Sequence, residues 1–97
     1  MRAMSEQTPP AINSHLTPER KSRLYWQCRR GMLELDSLLQ DFFRQQIDEL
    51  DNSELSAFEM LLKTPDDLLL EYLMGRTVPV DRELANVIAK IRQSAGH

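Results

Sequence analysis

Residues 35–62 read LDSLLQDFFRQQIDELDNSELSAFEMLL, and this stretch decides the fold. In its first half, apolar residues recur at steps of three and four, which is the period of an amphipathic helix. These residues are Leu35, Leu38, Leu39, Phe42, Ile47 and Leu50. Asp51 and Glu54 then have the spacing of a capping box and predict the start of another helix. Its apolar face consists of Leu55, Phe58, Leu61 and Leu62. Two apolar helical faces joined by a tight turn predict a helical bundle.

A first helix is predicted upstream of this stretch. Residues 17–19 (Thr-Pro-Glu) offer an N-cap, a proline at the first helical position and an acid in the first turn. The helix is expected to run to about Arg30. Gly31 is expected to end it in a left-handed conformation, with Arg29 and Arg30 placed favourably at the negative end of the helix dipole.

The C-terminal third carries the signals of two more helices. Residues 64–67 (Thr-Pro-Asp-Asp) predict the start of a fourth helix, which bears Leu69, Tyr72 and Leu73 and ends at Gly75. Asp81 is expected to cap a fifth helix. The apolar face of this helix consists of Leu84, Val87, Ile88 and Ile91. The sequence therefore predicts an all-α fold, a small five-helix bundle with short connections. It would form one domain over residues 18–97, after a flexible N-terminal extension over residues 1–17.

Composition supports this fold class and excludes several kinds of site. Leucine occurs 15 times, whereas valine and isoleucine together occur 7 times, and this ratio favours helices over strands. A single cysteine cannot form an intrachain disulfide, and two histidines near opposite ends give no zinc spacing. The three glycines are isolated, so they form no phosphate-binding loop. We therefore expect no metal, no cofactor bound by this chain alone and no catalytic residue.

Apolar runs in the sequence are too short for a membrane span, and the N-terminus lacks the apolar segment of a signal peptide. A soluble, cytoplasmic protein without membrane insertion is therefore expected. Charge is unevenly distributed, although the net charge is only −3. Residues 19–30 carry five bases and one acid, a net of +4, whereas residues 34–71 carry eleven acids and two bases, a net of −9. The bases form either a solvated helix face or a small patch that docks on a protein. The neighbouring acids would repel phosphate and argue against nucleic-acid binding.

We call residues 26–36 (WQCRRGMLELD) the corner, because they join the first two predicted helices. The corner contains the only tryptophan, the only cysteine and two arginines around a glycine. Tryptophan and arginine are enriched at binding hot spots, and a glycine lets a partner backbone approach closely. The corner is therefore predicted to bind a partner. The candidate residues are Trp26, Arg29, Arg30, Gly31, Met32, Glu34 and Asp36.

A purely structural role is open for each of these residues. Trp26 could belong to the core, and Cys28 is expected to be a small buried side chain and not a reactive thiol. Arg29 and Arg30 could act only on the helix dipole, and Glu34 could merely be favourable in the first turn of the second helix.

The string Trp26-x-Cys28-Arg29-Arg30-Gly31-Met32-x-Glu34-Leu35-Asp36 resembles the Arg-Gly-x-x-Glu signature of the succinate dehydrogenase flavinylation factors. The likeness continues to about residue 92. It includes Phe42-Phe43, Phe58 with Leu61-Leu62, Tyr72-Leu73-Met74 and Pro79-x-Asp81-x-x-Leu84.

The resemblance implies an assembly role. Members of this family are small five-helix proteins that bind the flavoprotein subunit of succinate dehydrogenase or fumarate reductase and promote covalent attachment of FAD to it. The histidine that takes the flavin belongs to the partner, so FAD would be handled through the flavoprotein. Arg30, Gly31 and Glu34 are then the signature residues expected at the contact. The family is also described in bacteria as the antitoxin of a toxin–antitoxin pair, and an antitoxin that acts through protein binding is the alternative.

Overall fold

A computed structural model describes residues 15–95, and every helix predicted from the sequence is present in it. The helices are α1 (Pro18–Gln27), α2 (Leu33–Gln46), α3 (Asn52–Leu61), α4 (Asp66–Leu73) and α5 (Arg82–Ala95). A 3₁₀ turn, Ile47–Glu49, extends the end of α2. The described residues contain no strand. The all-α prediction is confirmed, whereas the predicted flexible extension lies outside these residues except for its last three positions.

Helix starts follow the predicted caps in most cases. The Thr17 hydroxyl accepts a hydrogen bond from the Arg20 backbone N–H at 3.1 Å, and Asp51 forms the complete capping box with Glu54. Asp81 accepts hydrogen bonds from two backbone N–H groups in the first turn of α5. The exception is α4, where Pro65 occupies the N-cap position and no side chain caps the helix. Three of these helices therefore begin where a local side chain satisfies their free N–H groups.

The end of α4 is as predicted, but the end of α1 is not. Gly75 has a φ of 77°, and hydrogen bonds from Gly75 N to Tyr72 O and from Arg76 N to Glu71 O complete a Schellman motif. In contrast, α1 already ends at Gln27, and Gly31 does not adopt the left-handed conformation. The reason is that the Asp36 carboxylate accepts a hydrogen bond from the Arg30 N–H, which therefore cannot continue the helix.

The core is built from apolar side chains of all five helices. Helix α5 packs against α2, α3 and α4, and α1 contributes the fully buried Leu24 and Cys28. No polar or charged residue is buried among those whose burial the structure describes. Polar contacts of α1 lie at the surface of the bundle. The Arg20 guanidinium donates two hydrogen bonds to the Glu59 carboxylate on α3, at 2.8 and 3.0 Å. Helix α1 is therefore held on the bundle by its buried side chains Leu24 and Cys28 and by the link from Arg20 to Glu59.

Candidate partner-binding site

Two apolar side chains anchor the corner to the core. Cys28, the C-cap residue of α1, is completely buried, and Met32, the N-cap residue of α2, packs partly buried against the core. Burial raises the pKa of the Cys28 thiol to about 12. The thiol is therefore protonated at neutral pH and closed to solvent, which confirms its predicted role as a small buried side chain.

The Asp36 carboxylate fixes the path of the chain between these anchors. It accepts a hydrogen bond from the Arg30 backbone N–H at 2.9 Å and lies 3.4 Å from the Arg29 Nε. The hydrogen bond from Arg30 is the main reason that the pKa of Asp36 is lowered from its ordinary value, and Gln40 and Arg29 contribute less. Asp36 therefore remains ionised at neutral pH and serves as an internal acceptor of the corner, with only 19% of its side chain exposed.

The Arg30 side chain turns away from solvent. One of its terminal nitrogens, Nη1, donates to the Asp66 carboxylate at 2.8 Å, and the other, Nη2, donates to the Leu62 carbonyl. Only 14% of the side chain is exposed. Arg29 and Arg30 both lie beyond the last turn of α1. Instead of acting on the helix dipole, as predicted, Arg29 pairs with Asp36 and Arg30 pairs with Asp66.

Four other residues of the corner present their groups to solvent. The Trp26 side chain is 62% exposed and contacts Tyr25 edge-on, with 5.2 Å between ring centroids. The interpretation of Trp26 as a core residue is thereby wrong. A Cβ atom placed on Gly31 would have no heavy atom of the described residues within 4 Å, apart from those of its two chain neighbours. The Glu34 side chain is exposed and forms no hydrogen bond or ion pair with any other residue between 15 and 95. Leu33, which the sequence analysis did not single out, is 77% exposed.

This arrangement combines an indole, a bare stretch of backbone, a carboxylate and an alkyl side chain on one short segment. Aromatic and aliphatic groups supply contact area to a protein partner, and an unpaired carboxylate can accept charge-assisted hydrogen bonds. The described residues contain no cluster of three histidine, cysteine or acidic side chains that could hold a metal ion. Among the helices of residues 15–95, none has the length and apolarity needed to cross a membrane. The exposed groups of the corner are suited to recognition of a protein.

Comparison with known families shows which family the chain belongs to. A profile of the family described as "Flavinator of succinate dehydrogenase" matches residues 22–95. The chain belongs to this family. The match begins within α1 and extends to the end of α5, so it includes the whole corner. The resemblance drawn from the signature string is confirmed.

The chain is also similar to individual proteins that are named FAD assembly factors. The chain is 50% identical to the FAD assembly factor SdhE of Legionella pneumophila (strain Paris) over 72 residues, which are 74% of this chain and 90% of the relative. It is 41% identical over 76 residues to the FAD assembly factor SdhE of Coxiella burnetii (strain RSA 493 / Nine Mile phase I), covering 78% and 93% of the two chains. Identity to the FAD assembly factor SdhE of Vibrio parahaemolyticus (serotype O3:K6, strain RIMD 2210633) is 38% over 84 residues, with 78% and 98% covered.

Proposed function

We propose that this member of the flavinator family binds the flavoprotein subunit of succinate dehydrogenase or fumarate reductase and promotes the covalent attachment of FAD to that subunit. The observation that carries the proposal is the open side of the corner. Gly31 has free space where a side chain would be, and the neighbouring carboxylate of Glu34 has no partner among residues 15–95. A partner backbone can approach Gly31 closely, while a donor on the partner can bind Glu34.

Trp26 and Leu33 would supply the apolar part of this contact. Tryptophan is among the residue types enriched at the hot spots of protein interfaces, since it buries a large area and can also donate a hydrogen bond. Arg29, which is 47% exposed, could contribute at the rim of the contact. Met32 and Asp36 would act indirectly, by holding the corner in shape. Met32 packs against the core, and Asp36 accepts a hydrogen bond from the Arg30 N–H.

The proposed mechanism is positional and gives this chain no catalytic group. The Cys28 thiol is buried and protonated, and Glu34 is left as the exposed carboxylate of the corner. The covalent bond would form between a histidine of the flavoprotein and its own flavin, which supplies the chemistry of attachment. This chain would hold the flavoprotein in the conformation that brings the two together. Positioning of reactants can lower a barrier by about 7–11 kcal/mol in favourable cases.

Reconstitution with purified components tests this proposal. The flavoprotein subunit without covalent flavin is mixed with FAD and this chain, and covalent flavin is measured by its fluorescence in a denaturing gel. Covalent flavin should accumulate faster with the chain than without it. Equal rates would contradict the proposal. The alternative antitoxin role stays a prediction of the resemblance, since the geometry of the corner does not bear on it.

Two matched variants locate the contact in the same assay. Glu34 and Glu19 are both exposed and both occupy the second position of a helix, α2 and α1 respectively. Glu34→Ala should weaken binding of the flavoprotein by about 1–3 kcal/mol, because a donor on the partner loses its charged acceptor. Glu19→Ala, at the far end of α1, should leave binding unchanged. Equal dissociation constants for the two variants would limit Glu34 to a role in its own helix.

A further inference from the structure

A residue in the first turn of α4, outside the corner, forms an ion pair with Arg30 of the corner. Asp66 is the first residue of α4 and lies 36 positions after Arg30 in the sequence, yet its carboxylate accepts a hydrogen bond from the Arg30 Nη1 at 2.8 Å. The Arg30 Nε is buried and has no hydrogen-bond partner among residues 15–95. Among residues 15–95, Asp66 is therefore the one carboxylate that pairs with the guanidinium of Arg30.

The guanidinium of Arg30 also connects the two ends of the α3–α4 connection. Nη1 donates to Asp66 at the start of α4, while Nη2 donates to the carbonyl of Leu62, the C-cap residue of α3. An arginine can make both bonds at once because its donors form a rigid planar fork, which a lysine lacks. The corner is thereby tied to a part of the molecule that it does not adjoin in sequence.

Loss of the Asp66 charge would act directly on the exposed part of the corner. A mostly buried guanidinium without its carboxylate is costly, so the Arg30 side chain would be expected to turn towards solvent. Arg30 precedes Gly31 directly, and its backbone N–H is held by Asp36. Release of the guanidinium from Asp66 would remove one of these two restraints on Arg30, so the backbone of the following Gly31 would be held less firmly and the approach to Glu34 would be disturbed.

We propose that Asp66 is a positioning residue for partner recognition, which acts through Arg30 to fix the backbone of Gly31 in the conformation that the flavoprotein binds. This inference rests on the proposed function. It assigns Arg30 the role of an internal tether, and it places a determinant of binding outside the corner and outside the signature string.

Asp67 offers a matched control for the test. It follows Asp66 in the first turn of α4 and carries the same charge, but its carboxylate accepts only the backbone N–H of Leu68 among the residues between 15 and 95. Asp66→Asn and Asp67→Asn therefore change the net charge and the helix terminus in the same way. The dissociation constant of each full-length variant is measured against the flavoprotein subunit without covalent flavin. Asp66→Asn should weaken binding about tenfold or more, and Asp67→Asn should stay within about twofold of the unmodified chain.

A double-mutant cycle separates action through Arg30 from direct contact of Asp66 with the partner. If Asp66 acts through Arg30, the double variant Arg30→Gln/Asp66→Asn should bind as weakly as Arg30→Gln alone. Additive losses would overturn the inference. Amide hydrogen exchange of the free chain gives a second measurement: exchange at Gly31 and Met32 should be faster in Asp66→Asn than in Asp67→Asn, while exchange in the core of α2 stays unchanged.

Far-UV circular dichroism establishes that each variant is folded before binding is measured. Should Asp66→Asn lose its helicity, Arg30→Lys replaces it, because lysine keeps the charge but cannot form both hydrogen bonds, and the same loss of binding and faster exchange at Gly31 are expected. Unchanged binding and exchange in the folded variant would overturn the inference while the proposed function stands. Absence of binding by the unmodified chain would refute the proposed function, and this inference with it.

Discussion

The two internal glycines should respond in opposite ways to the same substitution. Apart from its chain neighbours, no heavy atom of the described residues lies within 4 Å of a Cβ placed on Gly31, and its backbone lies outside the left-handed region. Alanine at Gly31 should therefore stabilise the fold by about 0.4–1 kcal/mol, because it restricts the unfolded chain without a clash. Alanine at Gly75 should destabilise the fold by about 1–2 kcal/mol, since a φ of 77° is unfavourable for any residue with a Cβ. Its Cβ would also lie 2.7 Å from Nη2 of Arg92, whose exposed side chain would have to move.

Urea unfolding followed by far-UV circular dichroism measures both effects. The two alanine variants should differ by about 1.5–3 kcal/mol in the free energy of unfolding, which separates their midpoints by about 1 M urea or more. Destabilisation by Gly31→Ala as large as that by Gly75→Ala would refute the reasoning, because it would mean that Gly31 is packed or strained.

A larger side chain at Gly31 separates folding from function. Gly31→Arg should keep the helicity and should not lower the urea midpoint, since the Cβ position is open and the backbone lies outside the left-handed region. It should nevertheless abolish covalent flavin attachment in the reconstituted assay, because its bulk prevents close approach of the partner. Attachment at the unmodified rate by this folded variant would show that the corner is not the contact.

Three further predictions concern stability. Leu33→Ala should change the free energy of unfolding by less than about 0.5 kcal/mol, whereas Leu35→Ala should cost about 2–5 kcal/mol in the same urea titration, because Leu33 is 77% exposed and Leu35 is fully buried. Asp51→Ala should cost about 1 kcal/mol through loss of the capping box; an unchanged urea midpoint would contradict the cap. The pKa of Asp36 is lower in the folded than in the unfolded chain, so its contribution is present above its ordinary value of 3.8 and is lost as the pH falls through the lowered value. Urea midpoints measured at decreasing pH should therefore fall less steeply for Asp36→Asn, and parallel curves would argue against the Arg30–Asp36 bond.

Most of the fold could be predicted from the sequence because its signals are local. The capping residues Thr17, Asp51 and Asp81 and the glycine at position 75 act within one turn of the helix that they begin or end. Helical periodicity likewise identifies the apolar faces, since residues on one face recur every three or four positions. Phe43 is also buried, although it lies beside the stripe that defines α2.

Long-range partners explain what the sequence did not reveal about the corner. The end of α1 depends on Asp36, whose carboxylate reaches back six positions to the Arg30 N–H. The inward direction of the Arg30 side chain depends on Asp66, and no spacing rule connects residues so far apart. The exposure of Trp26 had a usable signal, since Leu24 and Cys28 are four positions apart and already define the buried face of α1.

The sealed environment of Cys28 has a practical consequence for spectroscopy. The chain contains no other cysteine, and this thiol is buried and protonated at neutral pH, so maleimide dyes and spin labels should spare it in the folded protein. A cysteine introduced at an exposed position outside the corner, such as Val80, would then be the single attachment point, with the native sequence otherwise intact. Distances from that probe to a labelled flavoprotein could be read by energy transfer while the complex assembles.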